Sequence, residues 1–152
     1  MPVFRENPYG AFNFIVNLQG DTDGQEGDYI GAFSDVSGLA TEIQYADYRN
    51  GNEAPNTVRK IQNTFTNEDV TLKRGLVGSN DLFQWWQNVA RGEIDPRQVR
   101  IQLLDEAKNT VATWTLRNAQ IKKWTGPTLA AKGGTEVAME EIILCHEGLS
   151  FD

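Results

Sequence analysis

Apolar and polar residues first alternate strictly over residues 12–18, where Phe12, Phe14, Val16 and Leu18 share one face and Asn13 and Asn17 the other. That pattern predicts a half-buried strand, ended by Gly20 and by the polar, glycine-punctuated stretch of residues 21–28. A second strand is expected over residues 29–36, up to Ser37-Gly38. A third is expected over residues 41–48, with Ile43 and Tyr45 facing away from Glu42 and Gln44. Residues 49–57 carry Asn50-Gly51, Pro55 and almost no apolar side chain, and apolar positions resume only at Val58 and Ile61. They read as a long exposed loop. Such loops are uncommon in compact domains, and function concentrates in them.

A fourth strand over residues 69–74 ends at Gly75, and beyond it the period lengthens. Leu82, Phe83, Trp86, Val89 and Ala90 recur at spacings of three and four. Ser79 or Asn80 stands at the cap, Asp81 opens the first turn, Arg91 closes the last and Gly92 follows. The spacing predicts one helix over about 80–91. Trp86 falls on its apolar stripe and is expected in the core. Trp85, rotated about 100 degrees away, is expected to be partly exposed and available for a subunit contact. Asp95-Pro96 then turns the chain and residues 99–103 alternate up to a turn at 105–109. A returning strand covers 111–119 and continues at 121–124 past a bulge, Gly126-Pro127 turns, residues 130–134 form a loop, and a last strand covers 137–146. About eight strands, one helix and no alternating β-α units predict a mainly β fold: an antiparallel β-sandwich or partly closed barrel in a single domain of residues 1–152.

Composition leaves this picture standing and removes several functions. At 152 residues, 39% hydrophobic and 23% charged, the chain has the makeup of a folded domain able to bury one core. Its formal charge of −7 disfavours a nucleic-acid partner, and the basic pairs Lys73-Arg74 and Lys122-Lys123 are too short to line a groove. No apolar run reaches the roughly 20 residues that cross a bilayer, so stable membrane insertion is not expected. The N-terminal residues lack the zones of a secretory signal, so synthesis and assembly in the cytoplasm are expected.

Candidate chemistry is sparse. The single histidine, His146, and the single cysteine, Cys145, are neighbours on one strand and so point to opposite faces. His146 reads as structural and Cys145 as a small core hydrophobe. Glu140 and Glu141 split across the strand in the same way. Asp21, Asp23 and Asp28 make only part of a cation loop, and Gly133-Gly134 lacks the Lys-Ser/Thr pair of a phosphate loop. No catalytic residue, metal site or cofactor is expected.

The order of several segments resembles the tube proteins of contractile phage tails and extracellular contractile injection systems. These are Phe12-Asn13-Phe14 with Val16, the run from Gly31 to Leu39, Tyr48-Arg49-Asn50-Gly51, the run from Val70 to Gly75, and Leu82-Phe83-Gln84-Trp85-Trp86. The haemolysin-coregulated proteins of type VI secretion are related to that family. The resemblance implies a homo-hexameric ring whose rings stack into a hollow tube, propelled through a target envelope when a surrounding sheath contracts. Sheath protein, baseplate hub and terminator or cap proteins would be its partners and a protein its lumenal cargo, in a particle that is extracellular or membrane-anchored. It also implies that the extended loop at about 48–61 reaches the neighbouring ring, through Tyr48, Arg49, Asn50, Gly51, Asn52, Glu53, Val58 and Ile61. The polar strand positions Glu42, Gln44, Thr71 and Lys73 suit a water-filled lumen, and Trp85 and Trp86 are candidates for core or subunit contact. The competing reading is a small β-barrel ligand-binding module in which Trp85, Trp114 and Trp124 hold a ligand.

Overall fold

A computed structural model describes residues 2–18, 30–31, 33–51, 58–76, 80–133 and 137–152. Among them are ten strands and one helix. In chain order these are β1 (Phe14–Asn17), β2 (Ile30–Gly31), β3 (Asp35–Ser37), β4 (Thr41–Tyr48), β5 (Arg59–Asn67), β6 (Val70–Gly75), α1 (Asp81–Ala90), β7 (Arg97–Leu104), β8 (Thr110–Thr125), β9 (Met139–Cys145) and β10 (Gly148–Phe151). Every pairing is antiparallel. The fold is mainly β and the sheet is not a closed barrel; its strands run β2-β1-β7-β8-β9-β6-β3, with β10 also on β8.

The organising element is β8, whose 16 residues serve two layers. Its first half pairs with β7 and β10, and its second half, from Gln120, pairs with β9. Between the halves Asn118 adopts a φ of 50°, a left-handed conformation that asparagine tolerates better than most side chains. Asn118 Nδ2 donates to Glu147 Oε2 at 2.8 Å, which fixes the bend. A register shift at Ile121/Lys123 continues the turn, as bulges do. Folding β8 over itself brings Val16, Val99, Ile101 and Leu116 from one layer against Val70, Leu72, Ile142 and Leu144 from the other, in one buried cluster.

Helix α1 closes one side of that cluster with Leu82 and Trp85. Gly92, with a φ of 99°, follows the C-cap at Arg91, and its N–H bonds the Val89 carbonyl. At the other end Asn80 makes no side-chain cap bond, and Ser79 lies outside the described residues. The two tryptophans exchange the places expected of them. Trp85 is 1% exposed and Trp86 36%. Leu82, Trp85 and Val89 form the inward stripe, while Phe83 and Trp86 stack on each other at 5.9 Å on the neighbouring face. With apolar residues at both 82 and 83, the periodicity supports either stripe. Burial of Trp85 is stabilised by its Nε1 donating to the Asp95 carbonyl at 3.2 Å and by the Arg97 guanidinium over its ring at 4.3 Å.

Several strand expectations also change. The first strand is shorter than its alternation, and Phe12 sits in a turn, 74% exposed, its ring against Gly10. The stretch expected as one strand over 29–36 is two short strands, β2 on β1 and β3 on β6, so the chain crosses between layers near Phe33; Tyr29 is outside the described residues. The corner at Gly38 has a φ of +89°, and a Cβ there would lie 2.1 Å from the Asp69 carbonyl oxygen, so only glycine fits. Cys145 is half-buried on the face opposite Ile142 and Leu144, its Sγ 3.6 Å from the Gln120 carbonyl, and is not part of the core. The chain continues past it into β10, which the sequence pattern did not announce.

Candidate functional site

Of residues 48–61, expected as an extended loop, Tyr48 and residues 59–61 are strand instead and belong to a ribbon. β4 and β5 form a two-stranded sheet of their own, in register from Thr41↔Asn67 to Tyr48↔Arg59. Strand β5 went unpredicted because Lys60, Gln62, Asn63, Thr64 and Thr66 leave only Ile61 and Phe65 apolar, four residues apart with no alternation between them. A register shift between Ile43 and Tyr45 absorbs one extra residue of β5, so that Phe65 pairs with Ile43 and Ile61 with Ala46. All eight residues of β4 and eight of the nine in β5 are exposed. The ribbon is therefore an arm standing off the body, about 26 Å long at the usual rise per residue.

Of the residues assigned to the extended loop, Tyr48 is the last of β4, Ile61 lies in β5 opposite Ala46, and Val58 precedes Arg59. Arg49, Asn50 and Gly51 follow β4 at the distal end, and Asn52 and Glu53 lie outside the described residues. Exposed Ile43, Tyr45, Tyr48, Val58, Ile61 and Phe65 give the arm six large apolar side chains in contact with solvent. An isolated two-stranded ribbon is marginally stable in water, and this one also carries the unpaired edges of both strands. The Lys60–Asp47 ion pair bridges its strands near the tip.

Where the arm leaves the body, Ile43 and Phe65 face Arg117, Glu147 and Leu149 across a cleft of about 400 Å³. On the body, strand pairing aligns Asp35, Lys73 and Glu141 in one row across β3, β6 and β9, and Ser37, Thr71 and Ile143 in the next. Lys73 and Glu141 approach to 3.8 Å. Thr71 and Lys73 thus share a polar wall, whereas Glu42 and Gln44 belong to the separate arm sheet.

Behind that wall the same strands bury a charge. Val70, Leu72 and Arg74 point inward from β6, and Glu140, Ile142 and Leu144 from β9, with Arg74 directly opposite Glu140. Arg74 is 3% exposed and Glu140 2%. Arg74 Nε donates to Glu140 Oε1, and its Nη2 donates to Asp81 Oδ1 at 2.6 Å. Trp124 Nε1 donates to Glu140 Oε2 at 3.2 Å. This network ties β6, β9, β8 and the first turn of α1 together. Sequence reading placed each residue on its strand but missed the pair, because the signal lies in inward parity across strands whose pairing only the fold supplies.

The aromatic residues of the competing ligand module do not converge. Trp85 is buried, Trp114 stacks on Phe151 at 5.2 Å, and Trp124 meets Phe83 edge-on at 5.0 Å toward the other end of β8. His146 Nε2 donates to the Glu68 carbonyl at 3.1 Å, and Cys145 bonds elsewhere. Among the described residues no group of His, Cys, Asp and Glu could hold a metal ion, and no helix is long and apolar enough to cross a membrane. Asp21, Asp23, Asp28 and Gly134 lie outside them.

At the N-terminal end, Arg5 Nη1 and Nη2 donate to the two carboxylate oxygens of Glu106 at 2.9 and 3.1 Å. The Arg5 bond and charge lower the Glu106 pKa, and Glu106 raises that of Arg5. A lowered folded-state value means that the contact contributes fully above glutamate's unfolded pKa and is lost as the pH falls through the folded one. We expect the Tyr9 ring resonances, which report the Arg5 guanidinium stacked 4.0 Å above them, to shift as the pH drops below the ordinary glutamate range. Glu106→Gln should hold the shifted position at every pH; the wild-type titration surviving in that variant would refute the assignment.

An open antiparallel sheet folded over one helix, with a ribbon arm and no convergent catalytic cluster among the described residues, defines a β-domain built for assembly. Comparison with known proteins agrees. The family model described as T4-like virus tail tube protein gp19 matches residues 10–150. The chain therefore belongs to that family of tail tube proteins and is a structural tube subunit. A chain from the sheath-tube complex of an extracellular contractile injection system, PVC, in its extended state is 25% identical, with a TM-score of 0.82 over 97% of this chain and 93% of that one. A chain from the six-fold symmetrised baseplate of the anti-feeding prophage shares the fold at 24% identity, with a TM-score of 0.85 over 97% of both chains. Hcp1 from Flavobacterium johnsoniae shares it more distantly, at 14% identity and a TM-score of 0.55 over 91% of this chain and 93% of that one. A comparison with curated proteins returned no match.

Proposed function

We propose that this chain assembles as a hexameric ring, that its rings stack into the hollow inner tube of a contractile injection particle, and that the β4–β5 arm bridges one ring to the next. The observation that carries this reading is the arm: a ribbon with six exposed large apolar side chains and two open edges, which a lone subunit leaves unsatisfied. The six-fold symmetry stated for the anti-feeding prophage baseplate supports the ring order. The related sheath-tube, baseplate and cap complexes support sheath, baseplate and terminator proteins as partners.

In this reading the whole chain is one tube domain with the arm as its extension. Sheet closure across subunits covers its open edges, and the wall that carries Thr71 and Lys73 faces a wet lumen through which a protein cargo passes. Glu42 and Gln44 extend that polar lining along the arm. The subunit does no chemistry and needs no cofactor; it is a conduit assembled in the cytoplasm and driven through an envelope by sheath contraction. Its net charge of −7 per copy keeps the bore from holding nucleic acid. Negative-stain microscopy of the purified chain supplied with its baseplate is expected to show six-fold rings and tubes. Monomers alone under those conditions would refute the reading.

A further inference from the structure

The N-terminal segment is tied down on both sides of Phe4, yet leaves Phe4 itself 95% exposed. On one side the Val3 N–H bonds the Val111 carbonyl at 2.9 Å, and the Val3 carbonyl accepts from the Tyr9 hydroxyl at 2.8 Å. On the other, Arg5 donates to the carbonyls of Asn7 and Pro8, at 2.6 and 2.8 Å, as well as to Glu106. Its guanidinium also covers the Tyr9 ring. An isolated exposed aromatic needs no explanation, but one whose two neighbours are both fixed is preorganised, and preorganisation lowers the entropic cost of inserting it into a partner.

The same chain carries a receptacle. The cleft of about 400 Å³ at the arm root has Ile43, Phe65 and Leu149 as apolar walls and Glu147 and Arg117 at its rim, room enough for one phenyl ring. Phe4 cannot fill the cleft of its own copy. Val3 is held at Val111, near the start of β8, whereas the cleft is lined by Ser150, opposite Thr115, and by Arg117, four and six residues further along the strand. That separation is about 13–20 Å at the usual rise per residue, beyond the reach of one phenylalanine side chain. A knob and a hole on different surfaces of one chain make a head-to-tail contact, which closes into a ring when the rotation allows.

We infer that Phe4 of each copy inserts into the arm-root cleft of its neighbour in the same ring, so that the N-terminal segment is a lateral assembly anchor. This rests on the ring reading above and adds to it the element that joins subunits sideways, distinct from the arm that joins rings. The Arg5 clip is then a positioning device, holding Phe4 at the angle the neighbour requires.

The test places cysteines beside the anchor and in the cleft, Val3→Cys with Ser150→Cys in a Cys145→Ser chain, and treats assembled tubes with a short bis-maleimide. Denaturing gels are expected to show a ladder ending at six. A ladder running beyond six would place the contact between rings, and no ladder from particles that microscopy shows as tubes would give Phe4 another partner; either overturns the inference while the tube reading stands. If the wild-type chain forms neither rings nor tubes, the tube reading fails and this one with it. Separately, Phe4→Ala should raise the midpoint concentration for ring formation about tenfold or more, the range of a central aromatic anchor, with Phe4→Leu between the two. The melting curve of the monomer should not move. An unchanged assembly midpoint for Phe4→Ala would also overturn the proposal.

Discussion

Replacing Arg74 with methionine, with Glu140 left in place, is expected to destabilise the fold by about 3–5 kcal/mol, the cost of stranding one partner of a buried ion pair. The carboxylate would keep Trp124 Nε1 as a donor but lose the guanidinium opposite it, in a site only 2% exposed. Asp81, partly exposed, would lose its Arg74 contact at smaller cost because water can reach it. The double variant Arg74→Met with Glu140→Leu removes both charges and should recover most of the loss. Urea unfolding of wild type and the two variants measures this. A single variant within about 0.5 kcal/mol of wild type, the range of ordinary surface substitutions, would show that the pair is not buried as described.

That pair also shows where sequence reading stopped. The strand expected over 69–74 and the split of Glu140 from Glu141 across the last strand are both found, with Val70, Leu72 and Arg74 inward from one strand and Glu140, Ile142 and Leu144 from the other. Period alone could not set the two strands side by side in the register that aligns Arg74 with Glu140. The long strands β7 and β8 were legible because each has several side chains committed to a buried face, and β4, although exposed throughout, because Ile43 and Tyr45 alternate with Glu42 and Gln44. The helix was legible in extent, yet its rotation was not, since Leu82 and Phe83 start two apolar stripes and only docking onto the sheet chooses the one with Trp85. β5 escaped because a strand exposed on both faces carries no burial signal at all. The site residues follow the same rule: the arm was located through its turn chemistry at Asn50-Gly51, but its strand nature was hidden. Phe4 and the cleft were not anticipated, because the first is an isolated apolar residue and the second exists only where β4, β5 and β10 meet.

Deleting residues 50–56 is expected to leave rings intact and to abolish their stacking, the largest functional effect of any change considered for this chain. The deletion joins Arg49 to Thr57, leaving Arg49, Thr57 and Val58 as a three-residue connection between Tyr48 and Arg59, which already face each other across the ribbon. Three-residue loops are a common hairpin closure, so β4 and β5 can still pair. The arm makes its backbone pairs only within itself and contributes no residue to the buried cluster, so the body should lose about 0.5 kcal/mol or less. What the deletion removes is reach. Residues 46–61 carry three bases, Arg49, Arg59 and Lys60, against two acids, Asp47 and Glu53, in a chain whose formal charge is −7. The distal arm is therefore the cationic end of an acidic subunit, suited to meet the acidic body of the ring beyond it. Between stacked rings of like charge, repulsion is screened past about 8 Å at physiological salt, so short contacts of this kind decide whether rings join. Sedimentation velocity and negative-stain images of the deletion are expected to show discrete rings at concentrations where wild type gives tubes. Raising the salt should shorten wild-type tubes if the charges contribute, and leave the deleted rings unchanged. Tubes of normal length from the deleted chain would remove the arm from the stacking contact and assign that role to the body surfaces themselves.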